Sequence, residues 1–497
     1  MRNPFGEPSC EDELRRYSAN EYQHLYFTDS TFNQAVLRDH VYLIVGRRGS
    51  GKTSLAQFFS FQQTLPNARR IDVGRPNNYF PEFAALGQEL TTHRVAAIGR
   101  MADIWRYILW QLIFQELRDE ANNIKLARRI SWPAPPYDSL VRELVIDLKK
   151  HEGDIWQAIS GKLRSESFLN VIQTVYDVSA RKPIIIAIDV MEHYDASNES
   201  ELCALAALVE CAAAFNITNA RHGIHLKVLL PAEIYPTLFE SYVLNPGKSV
   251  KDPVYLHWRP KDLLRLICWR FHKSLLADNL LPNANVVRDW TKFAEVHQMM
   301  WLPFFGKNLV NGGGSTEDTF PYILRHTQMR PRQLIRIVNE IANNSEDHYP
   351  SFRPEQMVSS VKRVEHELAG EVINSYRFIY PNVADIVGAL QGVPMIFQGN
   401  MLDKRAPRTA SSWPKERYSS LEFRRLVAAL GIVGRIRKDT GGVVSVDFEY
   451  FLDRRLDLHE HDQCAIHPMF YERLNVQRQN KVVLPFPDHP DFSMSGT

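Results

Sequence analysis

The sequence predicts a mixed α/β chain built on a parallel sheet, and three observations carry that expectation. A short β-branched apolar run at 41–45 opens directly into a glycine-rich loop and then a helix with apolar residues at Leu55, Phe58 and Phe59. A second buried run, 184–188, ends on an acid, Asp189. A third, 224–230, follows a helical stretch at 202–215. Apolar strands that alternate with helices make a doubly wound parallel sheet. At 497 residues and 44% hydrophobic content, the chain is long enough for two to four domains with real cores.

The loop after the first strand reads Gly46-Arg47-Arg48-Gly49-Ser50-Gly51-Lys52-Thr53, a match to G-x-x-x-x-G-K-[ST] in its strand–turn–helix context. Glycines let the backbone take conformations that side chains forbid, so successive N–H groups converge on one phosphate. The helix adds the positive end of its dipole. Lys52 is expected to reach the β- and γ-phosphates and the Thr53 hydroxyl to ligate Mg²⁺. Gly46, Gly49, Ser50, Gly51 and Ser54 complete the expected cradle, and ATP is the expected ligand.

A short strand is expected at 68–73. Residues 80–180 read as mostly helical, with Trp105, Ile108, Leu109, Leu112 and Ile113 at helical spacing and a Pro-rich loop at 132–136. Asp189 then closes its strand at the carboxyl edge, where open α/β sheets bind ligands. It is expected to hold Mg²⁺ opposite Thr53. Hydrolysis also needs a group that orients water. The position after Asp189 is Val190, so Glu192, three residues on, is the candidate, with His193 and Asp195 nearby.

After about 255 the strand signal stops and helices dominate to about 380. Within them Arg330-Pro331-Arg332 precedes an apolar stripe of Leu334, Ile337, Val338 and Ile341. Two arginines at a helix start oppose its dipole unless an anion sits nearby. Arg330 and Arg332 are therefore candidates for pairing with a phosphate. Farther on, Ser419-Ser420-Leu421-Glu422 is a capping box, and Gly431 stops its helix. Runs at 432–438 and 443–451, joined by a tight turn, read as a hairpin. Ten Lys/Arg against three acids between 401 and 438 make a basic stretch suited to DNA or RNA phosphates. The Pro-, Asp- and Ser-rich stretch from 482 to 497 reads as a flexible tail.

Other features bound the function. The net charge of +2 argues for neither a nucleic-acid-coating protein nor an acidic tail. Five scattered cysteines form no C-x-x-C pair, which argues against a zinc site or disulfide framework and for a reducing cytoplasm. The first residues lack a signal-peptide core and no uninterrupted apolar stretch reaches membrane-spanning length, so no membrane association is expected. Neither the N-K-x-D of guanine readers nor an L-S-G-G-Q-like signature occurs.

Four stretches together resemble AAA+ and STAND-type P-loop ATPases, including the origin-recognition branch, and more closely a bacterial P-loop ATPase family of poorly defined role. They are 46–53, 184–194, His326-Thr327-Gln328-Met329-Arg330-Pro331-Arg332-Gln333-Leu334-Ile335 and Ile466-His467-Pro468-Met469-Phe470. The resemblance implies an N-terminal lead (1–40), a P-loop NTPase α/β domain (41–255) with a helical insertion near 80–180, a helical lid (256–380), a winged-helix-like domain (381–480) and a tail (481–497). It implies that Arg330 or Arg332 is the lid arginine, and that Asp189 with Glu192 is the STAND form of the second motif. The chain departs from the pattern at Leu229-Leu230-Pro231-Ala232-Glu233, which lacks the usual first-sensor Asn, Thr or Arg. No arginine finger is assignable. The implied role is an ATP-driven switch that oligomerises in one nucleotide state or engages another protein chain, in anti-phage defence or genome maintenance. A nucleic-acid-binding ATPase using 401–451, and a small-molecule kinase, are the alternatives.

Overall fold

The computed structural model describes residues 3–73, 79–90, 93–118, 137–150, 154–190, 198–243, 253–414, 418–451 and 455–485. The chain divides into two units, Phe32–Leu256 and a second made of Met1–Thr31 with His257–Thr497.

Five strands run through the first unit: β1 (Leu43–Gly46), β2 (Arg69–Asp72), β3 (Ile184–Asp189), β4 (Ile224–Pro231) and β5 (Val254–Tyr255). All pair in parallel, in the order β2-β3-β4-β1-β5. Strands β1, β3 and β4 are near-continuously apolar and buried, as a sheet covered on both faces requires. Four of the five coincide with the runs read from sequence; β5 is too short to announce itself. The expected helical stretch between β2 and β3 contains Phe80–Leu90, Arg94–Glu116, Tyr137–Lys149, Ile155–Leu163 and Glu166–Ser179. The expected loop at 132–136 lies outside the described residues.

The helix Glu199–Asn219 packs on β4 and on Arg94–Glu116. Together with the turn to His222 it is long and apolar enough to cross a membrane, but 72% of that window is buried inside the fold. Asn216 fixes it to the sheet. Its amide donates to the Leu226 carbonyl at 2.9 Å, and its carbonyl accepts from the Leu226 N–H at 3.0 Å. Lys227 does similar work on the other flank, donating from its buried ammonium to the carbonyls of Val41 (2.6 Å) and Arg38 (3.0 Å). Burial pushes that ammonium down to about 8.

The second unit gathers the N-terminal lead into the helical region. Ser9 and Ser18 cap the helices Cys10–Arg16 and Ala19–Leu25. Glu13, 1% exposed, pairs with Arg270 at 2.6 Å on the helix Pro260–Ala277. The helices Pro331–Asn344 and Pro354–Asn374 pack together. A hairpin, β6 (Asn308–Val310) and β7 (Thr316–Asp318), interrupts the region read as helical. Its Asn-Gly-Gly-Gly turn supplies the positive φ that closes it, at Gly314.

At the C-terminal end Ser419 accepts from the Glu422 N–H at 3.0 Å and opens the helix Ser420–Ala429, as the capping pattern predicts. Gly431 follows at φ +66. The expected hairpin is β9 (Val433–Asp439) with β10 (Val443–Asp447). It belongs to a five-stranded sheet, β12-β10-β9-β11-β8, with β8 (Ile396–Gln398), β11 (Gln463–Ile466) and β12 (Val482–Leu484). Strand β12 corrects the expected tail: residues 482–484 pair in parallel with β10 because Val482 and Val483 match its apolar register. Residues 486–497 lie outside the described residues.

Candidate functional site

The glycine-rich loop joins the carboxyl end of β1 to the helix Lys52–Phe58. Gly46 sits in close quarters: a Cβ there would lie 2.5 Å from Ser50 Oγ and 3.0 Å from Leu256 Cδ1, so the Ser50 side chain would have to shift. Gly49 and Gly51 adopt φ of +79 and +98, a region closed to most L-residues. The turn is fixed by Ser50 N–H donating to the Arg47 carbonyl at 3.0 Å, and the helix starts with Leu55 N–H on Gly51 O at 2.9 Å. The loop therefore stands at a helix N-terminus, where backbone N–H groups and the dipole favour an anion.

Sheet register brings the second half of the site to the same edge. Gly46 pairs with Pro231 and Asp189 with Leu229, so the ends of β1 and β3 flank the end of β4. Across that gap the Thr53 hydroxyl donates to Asp189 Oδ2 at 2.7 Å. Lys52, 4% exposed, folds back so that its ammonium donates to the Gly46 carbonyl at 3.0 Å. Ser54 is half-buried on the first helical turn. A hydroxyl and a carboxylate are hard oxygen donors of the kind Mg²⁺ takes alongside phosphate and water, so this pair fits that ion. No cluster of three or more His, Cys, Asp or Glu suited to a metal occurs among the described residues.

One acid at this edge escaped the sequence reading. Glu233, 7% exposed, accepts from the Arg48 N–H at 3.1 Å, and next to it the Ala232 N–H donates to Gly46 O at 3.1 Å. The signal was available: Glu233 follows an apolar strand by the same logic that singled out Asp189. Glu192 itself lies outside the described residues.

Arg330 and Arg332 both belong to the second unit. Arg330 is the N-cap residue of Pro331–Asn344, 4% exposed, and donates to Gln328 Oε1 at 2.5 Å. The Gln328 side-chain amide in turn donates to the Leu430 carbonyl at 2.7 Å, and its backbone N–H donates to Gln333 Oε1, also at 2.7 Å. Arg332 is half-buried on the first helical turn. The arginine-bearing stretch is thus tied into the packing between this helix and the C-terminal sheet region.

Ion pairs answer four of the ten Lys/Arg of the basic stretch at 401–438. Arg424 grips both carboxylate oxygens of Asp403 at 2.6 and 2.7 Å. Arg425 pairs with Glu449 at 3.0 Å, Arg437 with Asp447 at 3.2 Å and Arg435 with Asp462 at 4.0 Å. No protein-family model matches the chain, and no curated protein matches its sequence.

Proposed function

We propose that the chain binds ATP with Mg²⁺ at residues 46–54 and hydrolyses it, and that the nucleotide state governs its association with another protein chain. The observation that carries this reading is the 2.7 Å bond between Thr53 and Asp189, which joins two residues far apart in sequence beside a loop with positive φ at Gly49 and Gly51. In this reading the loop N–H groups bind the phosphates, and Lys52 exchanges its bond to the Gly46 carbonyl for phosphate oxygens. Thr53 and Asp189 would hold Mg²⁺, which when bound neutralises phosphate charge. Glu192 is assigned the orientation of the attacking water. The ion pairs of Arg424, Arg425, Arg435 and Arg437 count against 401–451 as a phosphate-backbone surface.

Titration of the full chain with a fluorescent ATP analogue, with and without Mg²⁺, tests the reading. Lys52→Ala should weaken binding by at least about tenfold, the loss of one charge-assisted hydrogen-bond set. Phosphate release should fall in parallel. Unchanged affinity in Lys52→Ala would sink the assignment.

A further inference from the structure

A second site stands in the unit of Met1–Thr31 and His257–Thr497, independent of the phosphate loop. A cavity of about 440 Å³ opens between the turn of the β6–β7 hairpin, the helix Pro354–Asn374 and the segment entering β12. That volume suits a small metabolite.

The charges on its wall are unequal. Arg325, Lys362, Arg478 and Lys481 line it against one carboxylate, Glu365. The acids that pair three of these cations, Glu317 with Arg325 (2.9 Å), Glu472 with Arg478 and Asp439 with Lys481, are not part of the wall. Two of the cations are held over rings: Arg325 lies 5.0 Å from the Tyr322 centroid and Arg478 5.6 Å from that of Tyr471. Arg325, buried, paired and stacked, is thus held in position before any ligand arrives.

The floor is polar and incompletely paired. Glu365 is 1% exposed, and its Oε1 lies 2.5 Å from His326 Nδ1, while its Oε2 has no hydrogen-bond partner. The Tyr471 hydroxyl and Arg325 Nε, on residues each 7% exposed, are also buried and unpartnered. Each such group costs about 1–3 kcal/mol when left unmade. All three belong to residues that line this cavity, so its wall carries polar side-chain capacity that the fold leaves unused. The glycines of the hairpin turn, Gly312 and Gly313, leave the opposite wall open to close approach.

We propose that this cavity binds a small molecule bearing an oxyanion, held by Lys362 and Arg478 at the rim, with a hydrogen-bond donor reaching Glu365 at the floor. Phosphate esters and polycarboxylates share that anionic chemistry. The test is calorimetric titration of the full chain, carrying Lys52→Ala to silence the loop, with inorganic pyrophosphate and with citrate. One of the two should bind at one site per chain, and whichever binds more tightly identifies the class of oxyanion. Lys362→Ala with Arg478→Ala should weaken that binding by roughly tenfold or more, with an unchanged unfolding midpoint because both side chains lie at the cavity's outer edge. Tyr471→Phe should weaken it as well. Absence of binding by both anions, or binding indifferent to the double substitution, overturns the proposal.

Discussion

The Arg48 amide donates to the Glu233 carboxylate at 3.1 Å, tethering the glycine-rich loop to the segment that follows its neighbouring strand. Two opposed effects meet at that carboxylate. It holds the loop's backbone, and its charge stands near the place proposed for phosphates. Glu233→Gln keeps an acceptor without the charge and should bind ATP as tightly as the parent or more so. Glu233→Ala leaves a loop amide unmatched, at about 1–3 kcal/mol, and should bind more weakly. Fluorescent-nucleotide titration of the two variants separates them, and equal affinities would deny the tether any role.

Thr53 and Asp189 form the proposed metal pair, so their loss should be read in Mg²⁺ dependence rather than in folding. Asp189→Asn keeps the acceptor for the Thr53 hydroxyl but not the charge. It should retain nucleotide affinity in chelator while losing the increment that Mg²⁺ adds, measured by titrating nucleotide at fixed metal concentrations. An intact increment would remove Asp189 from the site.

A Cβ at Gly46 would lie 2.5 Å from Ser50 Oγ and 3.0 Å from Leu256 Cδ1, so a side chain there displaces Ser50. Gly46→Ala should destabilise the fold by about 1–3 kcal/mol, the usual range for overpacking, and abolish nucleotide binding. Gly51→Ala meets no atom within 4 Å but is strained at φ +98. It should therefore cost backbone energy without a clash. Urea unfolding midpoints of both proteins check the difference in origin.

Buried histidines set the acid limit of the second unit. His467 lies well below its usual value of 6.5, first because of burial and then because of neighbouring His326 and Arg330. Its Nδ1 accepts from the Met469 N–H at 3.2 Å, so Nε2 carries the proton and donates to the Tyr450 oxygen at 2.7 Å. Burial lowers His326 as well. A base depressed on folding takes up its proton more readily when unfolded. Stability is therefore full above about pH 6.5 and falls as the pH drops below it, by up to about 1.4 kcal/mol per pH unit for each such group. Unfolding midpoints from pH 7.5 to 5 should fall, and His467→Gln should flatten the decline.

What could be read in advance was local. The parallel sheet, the loop and Asp189 are written in short contiguous patterns, apolar runs ending in glycine or an acid, and these match the observed strands closely. The partners of the basic stretch were not legible, because Asp447, Glu449 and Asp462 reach Arg437, Arg425 and Arg435 only once β9, β10 and β11 are assembled. The strand at Val482–Leu484 was hidden by the Pro and Asp content of the residues after it. The Arg48–Glu233 contact spans 185 positions, and no local periodicity encodes such a pairing.

Gln328 touches both the loop before Pro331–Asn344 and the carbonyls of Leu430 and Gly431, and Gly431 has no room for a side chain beside it. The helical segment and the C-terminal sheet region therefore share one set of satisfied buried groups. Cutting the chain between them would strand the Gln328 amide without its Leu430 acceptor and open the packing around His467. A shortened protein would report that damage before it reported any lost partner. Whatever this region engages is better sought by single surface substitutions in the intact chain.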